Sequence, residues 1–370
     1  MDTLSSGATG LVVGALLGLL LAVFLEDYLK DQTKRLGSWT RRVRSRGRLP
    51  ERTDEFQLGP LRTPMLVVEG DGEQVINEQS IRIVIDPVDV ELPDEMAAWR
   101  AEVAREQQAR RDRGEQFFWN GPNYAVTGLV VSRTTVNEAP EACLRLKHAD
   151  YYTFMATQQL DREFADGTTP RARYLSSGPA TAPDFMCCSF GTNVALVTAD
   201  NLLAVQRRSD QVGSQPGTWS SSANEALSRE LDSRGRTASD LYDVMRRGIA
   251  EELAVDQSEY HLEMLAFTID THRQQWGALF TAELHDLTAA DLQARRTRGV
   301  PDKWEHQHLE FVAFEVEPVI TYLLRPDRVD NWSSVGPVVF YLALIRRFGR
   351  ARVERATARL LRSPGRDDRI

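Results

Sequence analysis

The stretch from Asp240 to Leu253 limits the fold most strongly. Leu241, Val244, Met245, Ile249 and Leu253 recur at helical spacing and make one apolar stripe. A helix of that kind is stable only when the stripe is buried against another layer. Strand-length apolar runs flank it. Asn193–Thr198 and Asn201–Gln206 come before, joined by an Ala199-Asp200 turn, and Leu262–Ile269 and Trp276–Leu284 come after. Further strands are expected at Met65–Glu69, Ser80–Ile85, Tyr124–Val131, Ala142–Leu146 and Phe311–Val316. A charged helix is expected from Pro93 to Gly114, a short one over Asp150–Leu160, one opened by Thr288 as N-cap, and a closing one over Val338–Phe348. This order of elements predicts a mixed α+β body.

A second feature lies near the start. Residues 8–25 read ATGLVVGALLGLLLAVFL, 18 positions without a charge. As a helix they would cover roughly 27 Å, close to the hydrocarbon thickness of a bilayer. The sequence therefore predicts one N-terminal transmembrane helix, within residues 1–28. Only Asp2 precedes the run and Glu26-Asp27 ends it, so cleavage as a signal peptide is not expected. Lys30, Lys34, Arg35, Arg41, Arg42, Arg44, Arg46 and Arg48 follow. This basic flank predicts an N-terminus outside and a body in the cytoplasm, single-pass at the cytoplasmic membrane, with contact to anionic head groups. Gly10, Gly14 and Gly18 share one helix side, a spacing that favours self-association of membrane helices. Residues 29–60 read as a basic juxtamembrane linker.

Composition excludes several classes. Apolar residues make up 42% and charged residues 26%, which rules out a mostly disordered chain, a collagen-like fibre or a multi-span membrane protein. With 45 basic and 53 acidic residues the formal charge is −8, so no nucleic acid is expected as a partner. Cys143, Cys187 and Cys188 make neither a disulfide framework nor a zinc spacing. No phosphate-binding Gly-x-x-x-x-Gly-Lys-Ser/Thr loop and no Gly-x-Ser-x-Gly elbow occurs.

The chemistry concentrates in one segment: Asn201–Ser209, then Pro216-Gly217-Thr218-Trp219, then Arg247-Gly-Ile-Ala-Glu251-Glu252-Leu-Ala-Val255. From about Phe190 to Pro318 it resembles the Nudix hydrolase family. That family has a strand ending in basic residues, a Pro-Gly-x-Trp turn, and a helix reading Arg-Glu-hydrophobic-x-Glu-Glu-x-Gly-hydrophobic. The resemblance implies a Nudix-like α/β/α sandwich with a mixed sheet over residues 181–325. Around it lie an N-terminal α+β region packing on the core (61–180) and a C-terminal helical extension (326–370). It also implies a divalent cation, magnesium or manganese, and a nucleotide-type ligand.

Two carboxylates on one helical turn can hold a hard cation that bridges pyrophosphate oxygens. Glu251 and Glu252 are the candidate metal ligands, Glu252 and Glu305 the candidate catalytic groups. Arg247, four residues before Glu251, is the candidate for orienting them. Arg207 and Arg208 are candidates for phosphate contacts, or ordinary strand-end charges. Trp219 is a candidate for stacking on a base, or a core residue. Glu310 is a second candidate for the role of Glu305.

The box is degenerate. Gly248 stands where the family has its first glutamate, Ala254 where it has glycine, and Ser220–Glu225 where it has Gly-Gly-x-x-Glu. Glu225, Glu230 or Asp240 could restore a ligand. Two functions stay open at this point: a pyrophosphohydrolase acting on a nucleoside-diphosphate-linked compound, and a catalytically weakened nucleotide-binding sensor or scaffold at the inner membrane face. Residues 120–161 carry Asn120, Arg133, Glu138, Arg145, Asp150, Tyr151 and Tyr152: their arginines and acids form structural ion pairs near strand ends, or the region packs over the cleft and supplies specificity.

Overall fold

Period-two alternation along the central strands turns apolar residues to both faces of one sheet, so helices must cover both. The computed structural model describes residues 55–135, 138–210, 215–232, 240–299 and 306–362. Its strands are β1 (Glu55–Leu58), β2 (Leu61–Glu69), β3 (Ile81–Asp89), β4 (Pro122–Arg133), β5 (Pro140–Asp150), β6 (Phe190–Val197) and β7 (Leu202–Arg208). Then come β8 (Trp219–Ser220), β9 (Ala223–Ala226), β10 (Tyr260–Asp270), β11 (Gln275–Leu284) and β12 (His306–Ala313). The helices are α1 (Asp94–Asp112), α2 (Tyr151–Thr157), α3 (Pro170–Tyr174) and α4 (Leu241–Leu253). They continue with α5 (Ala289–Arg298), α6 (Val316–Leu323), α7 (Gly336–Phe348) and α8 (Arg350–Arg362).

The large sheet runs β1-β2-β10-β11-β6-β7-β12, with β9 on β6 and β8 on β7. β11 and β6 are parallel and the other pairings antiparallel, which makes the sheet mixed. Val194 and Leu196 face one core, Ala195 and Val197 the other. On the first face lies α4, whose five stripe residues are fully buried against Phe267, Phe280 and their neighbours. Each such side chain contributes about 1.5–3 kcal/mol on burial. Val338, Val339, Leu342 and Ile345 of α7 cover the second face.

β6 and β7 pair only beside their turn, at Val197 and Leu203, and then diverge. The chain between β8 and β9 fills the fork. Ser220, Ser221 and Ser222 are buried there. Ser222 accepts from the Leu196 amide at 2.8 Å and donates to the Ala204 carbonyl at 2.5 Å, joining the two arms. Burial without such partners would be costly.

β3, β5 and β4 make a second, three-stranded sheet. α1 lies on it through Met96, Trp99 and Val103, and this layer shares the apolar core under α4. The Tyr242 hydroxyl of α4 donates to the Ile76 carbonyl at 2.8 Å and accepts from the Met264 amide at 3.1 Å. Upstream chain, α4 and the large sheet are thus tied at one buried atom.

The mixed α+β class holds, with a curled mixed sheet between helices. The described residues from Glu55 onward form one compact unit. β1 and β2 extend the sheet upstream of residue 181, and helices beyond residue 325 cover its second face. β1 begins inside the stretch read as linker. Val316 is not the end of a strand: it opens α6, where Pro318 falls in the first turn and its missing N–H leaves no bond unmade.

The expected span at residues 8–25, its glycine stripe and the basic flank lie outside the described residues. Among the described residues no helix is long and apolar enough to cross a membrane.

Candidate functional site

Four elements converge beside the fork. α4 brings Arg247, Glu251 and Glu252, β9 brings Asn224 and Glu225, β7 brings Gln206 and Arg208, and the turn after β9 brings Asp232. Gly248 permits the approach. A Cβ built there would stand 2.8 Å from Cβ of Glu225 and 3.4 Å from the Asn224 carbonyl. The Glu225 side chain therefore starts where the side chain of residue 248 would start. Glu225, one of the three residues named as able to restore a ligand, is brought beside Gly248 and Arg247 by the neighbouring strand.

Arg247 is the hub. Its Nη1 lies 2.8 Å from Glu225 and 3.6 Å from Glu251, and it makes bonds of 3.1 Å to both oxygens of Asp232. A further bond of 3.0 Å runs to the Ala226 carbonyl. The helical spacing of Arg247 and Glu251 is thus a close approach, while the shorter contacts go to residues far away in sequence. Burial drives the Glu225 carboxyl up to about 8, against the pull of Arg247, with Glu252 and Glu251 adding to the rise.

Glu252 is only 3% exposed. One of its oxygens accepts from the Asn224 amide at 3.0 Å and side chain at 3.3 Å, the other from Gln206 Nε2 at 3.2 Å. The same Gln206 nitrogen donates to the Ser222 carbonyl. A neutral amide thus lies between a carbonyl and a carboxylate that could otherwise share a cation. Glu251 is half-buried at the helix surface.

These residues do not fit a preformed metal centre. Among the described residues no three His, Cys, Asp or Glu side chains are grouped so as to hold a metal ion. Arg247 lies between Glu225 and Glu251, and both oxygens of Glu252 are engaged. Glu305 lies outside the described residues.

A cleft of about 340 Å³ opens next to this cluster. Asn224, Glu225 and Arg208 line it on one side, and Asp270 and Arg273 of the β10–β11 turn also belong to its lining. Tyr151 and Phe118 enter from the N-terminal layer. The volume is in the range of small-molecule sites. Arg208 donates to Asn224 Oδ1 at 3.1 Å. Asp270 is buried, which pushes its carboxyl up against the pull of Ser334, Arg273 and the His272 amide.

The remaining candidates lie elsewhere. Arg207 points away from Arg208, as strand alternation requires, and its Nε donates to the Gly217 carbonyl at 3.0 Å. Trp219 is buried, with the Arg328 guanidinium 3.9 Å from its ring centre, and is absent from the cleft lining. Glu310 is held by the Tyr322 hydroxyl at 2.7 Å and Arg328 at 2.8 Å. Asp150 caps α2 and pairs with Arg100. The sequence reading missed Asp270, Arg273 and Asn193. Asn193 lies within β6, Asp270 ends β10 and Arg273 is in the following turn, and they share no spacing that singles them out. The positive φ of Gln274, 54°, marks that turn only in the structure.

A mixed sheet covered by helices on both faces, with an acid-bearing helix beside a cleft, defines an α+β fold. Part of the chain is similar to a Nudix hydrolase. Nudix hydrolase 9 of Arabidopsis thaliana is 30% identical over 117 residues, which are 30% of this chain and 34% of that protein. The chain therefore spans about a third of the curated relative it matches. Among solved structures, DR0079 from Deinococcus radiodurans aligns with 44% of this chain and 84% of its own, at TM-score 0.29 and 17% identity. A MutT NUDIX hydrolase from Burkholderia pseudomallei aligns with 41% of this chain and 95% of its own, at TM-score 0.26 and 15% identity. No family model matches the chain.

Proposed function

We propose that the chain binds a nucleoside-diphosphate-linked compound in the cleft between the large sheet and the N-terminal layer. The observation that carries this reading is the lining itself. Two arginines, Arg208 and Arg273, share one cavity with the aromatic rings of Tyr151 and Phe118. Guanidinium groups suit phosphate oxygens and aromatic faces suit a base. The partial likeness to a Nudix hydrolase supports the same ligand class.

Two outcomes follow for the bound compound. The engaged oxygens of Glu252 and the position of Arg247 favour binding without turnover, as a sensor or scaffold. The supply of Glu225 in place of the missing glutamate favours hydrolysis. Burial lifts that carboxyl above the ordinary carboxylate range, the direction that suits a general base. In that case magnesium or manganese would need Glu225, Glu251 and Glu252 to exchange their present partners.

The test uses the full chain with magnesium, then manganese, and a panel of nucleoside-diphosphate compounds. A rise in melting temperature reports binding. Monophosphate release that Glu251→Gln and Glu225→Gln abolish supports the hydrolase; binding without release supports the sensor. No rise and no product with any compound overturns the reading.

We also propose attachment to the inner face of the cytoplasmic membrane through residues 8–25 and the basic flank. Fractionation of cells expressing the full chain tests it. Recovery in the membrane pellet, lost on deletion of residues 8–25, is the expected result; full recovery in the supernatant contradicts it.

A further inference from the structure

We propose that Tyr151 and Phe118, which come from the layer outside the Nudix-like segment, form the wall that takes the planar base of the nucleotide and sets ligand choice. This rests on the nucleotide reading above and assigns one part of the ligand to one pair of residues. Tyr151 opens α2 half-buried in the cleft. Phe118 stands edge-on to it, with ring centres 6.2 Å apart, and the buried Phe154 supports it at 6.0 Å. Arg208 and Arg273 both act electrostatically on the Tyr151 phenol, so the ring belongs with the two cations of the same cavity.

The wall is built to stay in place. The Phe118 amide donates to Oε1 of Gln107 at 2.8 Å, and Gln107 is a buried polar residue of α1. The Tyr152 hydroxyl donates to the Phe118 carbonyl at 2.9 Å, and the Tyr152 amide donates to Asn120 Oδ1 at 2.8 Å. The Tyr151 amide donates to the Gly121 carbonyl at 2.9 Å. A buried glutamine is costly without partners; here it fixes the loop that carries Phe118. Holding both rings before the ligand arrives lowers the ordering cost of binding.

The rest of the lining suits a flat group. Gly191 and Gly277, register partners on β6 and β11, line the cleft without side chains. A Cβ on Gly277 would stand 2.8 Å from the Gly191 carbonyl, so the strands approach too closely there to carry one. An aromatic wall offers a base its π face and offers a bare pyrophosphate nothing.

The experiment compares ADP and UDP with inorganic pyrophosphate, on the full chain, by isothermal titration with calcium in place of magnesium. The wild type should bind the nucleotides roughly 10-fold tighter than pyrophosphate or better. Tyr151→Leu should weaken nucleotide binding by about 5- to 150-fold and leave pyrophosphate unchanged, while Tyr151→Phe should keep wild-type affinity. Phe118→Leu provides a second variant with the same expected pattern. Melting curves without ligand check that each variant is folded. Nucleotide affinity unchanged in folded Tyr151→Leu and Phe118→Leu overturns the wall and leaves the nucleotide reading standing. Equal loss of nucleotide and pyrophosphate also overturns it. Failure of the wild type to bind any nucleotide overturns both.

Discussion

Replacing Gly248 by alanine adds one methyl group at the tightest point between α4 and β9. That carbon would meet Cβ of Glu225 at 2.8 Å and Cε of Met245 at 3.2 Å. Carbon atoms pack best at about 3.5–4.0 Å, so the overlap with Glu225 is about 1 Å. Met245 can turn aside; Glu225 cannot, because β9 is paired with β6 at Thr192 and its Cβ is fixed by backbone. Overpacking of this kind costs about 1–3 kcal/mol. Against it, glycine to alanine inside a helix gains up to about 1 kcal/mol. The expected net effect is a loss of about 1–2 kcal/mol in urea unfolding. Gly248→Glu, which rebuilds the family motif, should lose more, because it adds a like charge near Glu251 as well as the clash. The partner change separates the two effects. Glu225→Gly removes the obstructing Cβ, and combined with Gly248→Ala it should show a coupling of at least about 1 kcal/mol, whereas Glu225→Ala keeps the Cβ and should show little. Stabilisation of the wild-type background by Gly248→Ala, as in an open helix, would refute the close approach and with it the replacement of residue 248 by Glu225.

Other outcomes follow from the same geometry. Ala254 ends α4 in the left-handed region at φ 54°, so Ala254→Gly should stabilise the fold by about 1 kcal/mol in urea unfolding. The Glu225 carboxyl titrates at about 8 when folded against 4.5 ordinarily. Its stabilising share is therefore full below pH 4.5 and is lost as pH rises through 8. Glu225→Gln should remove that loss, so the variant gains on the wild type as pH rises; melting temperatures from pH 5 to 9 check the sign. Arg247→Met leaves Asp232 and Glu251 without their shared cation and should cost about 3 kcal/mol, measured by urea unfolding at neutral pH.

Periodic segments were legible in the sequence because burial imposes their period. The stripe of α4 is one such case; that Asp240 caps the helix, accepting from the Tyr242 amide at 2.8 Å, is seen only in the structure. The N-cap at Thr288 belongs with the stripe. Less legible were short strands without a pattern of their own. β8 and β9 exist because the fork between β6 and β7 leaves unpaired backbone that they satisfy. The site divides in the same way. Arg247 and Glu251 are four apart on a helix, and sequence spacing finds them. Asp232 and Gln206 reach Arg247 or Glu252 only through the fork, and no spacing encodes that. Trp219 in the Pro-Gly-x-Trp turn reads either as a stacking or as a core residue, and it is the core residue, buried and covered by Arg328, which lies 109 positions downstream and enters with the chain after α6. The ring that does reach the cleft belongs to Tyr151, beside the cap residue Asp150.

The central claim is that the cleft between the large sheet and the N-terminal layer takes a nucleotide. Hydrogen exchange of the full chain, with and without millimolar ADP or UDP, tests it most directly. The account predicts added protection at β9, at the start of β6, at the β10–β11 turn and at the start of α2. Protection confined to other surfaces, or none with either nucleotide, would contradict it.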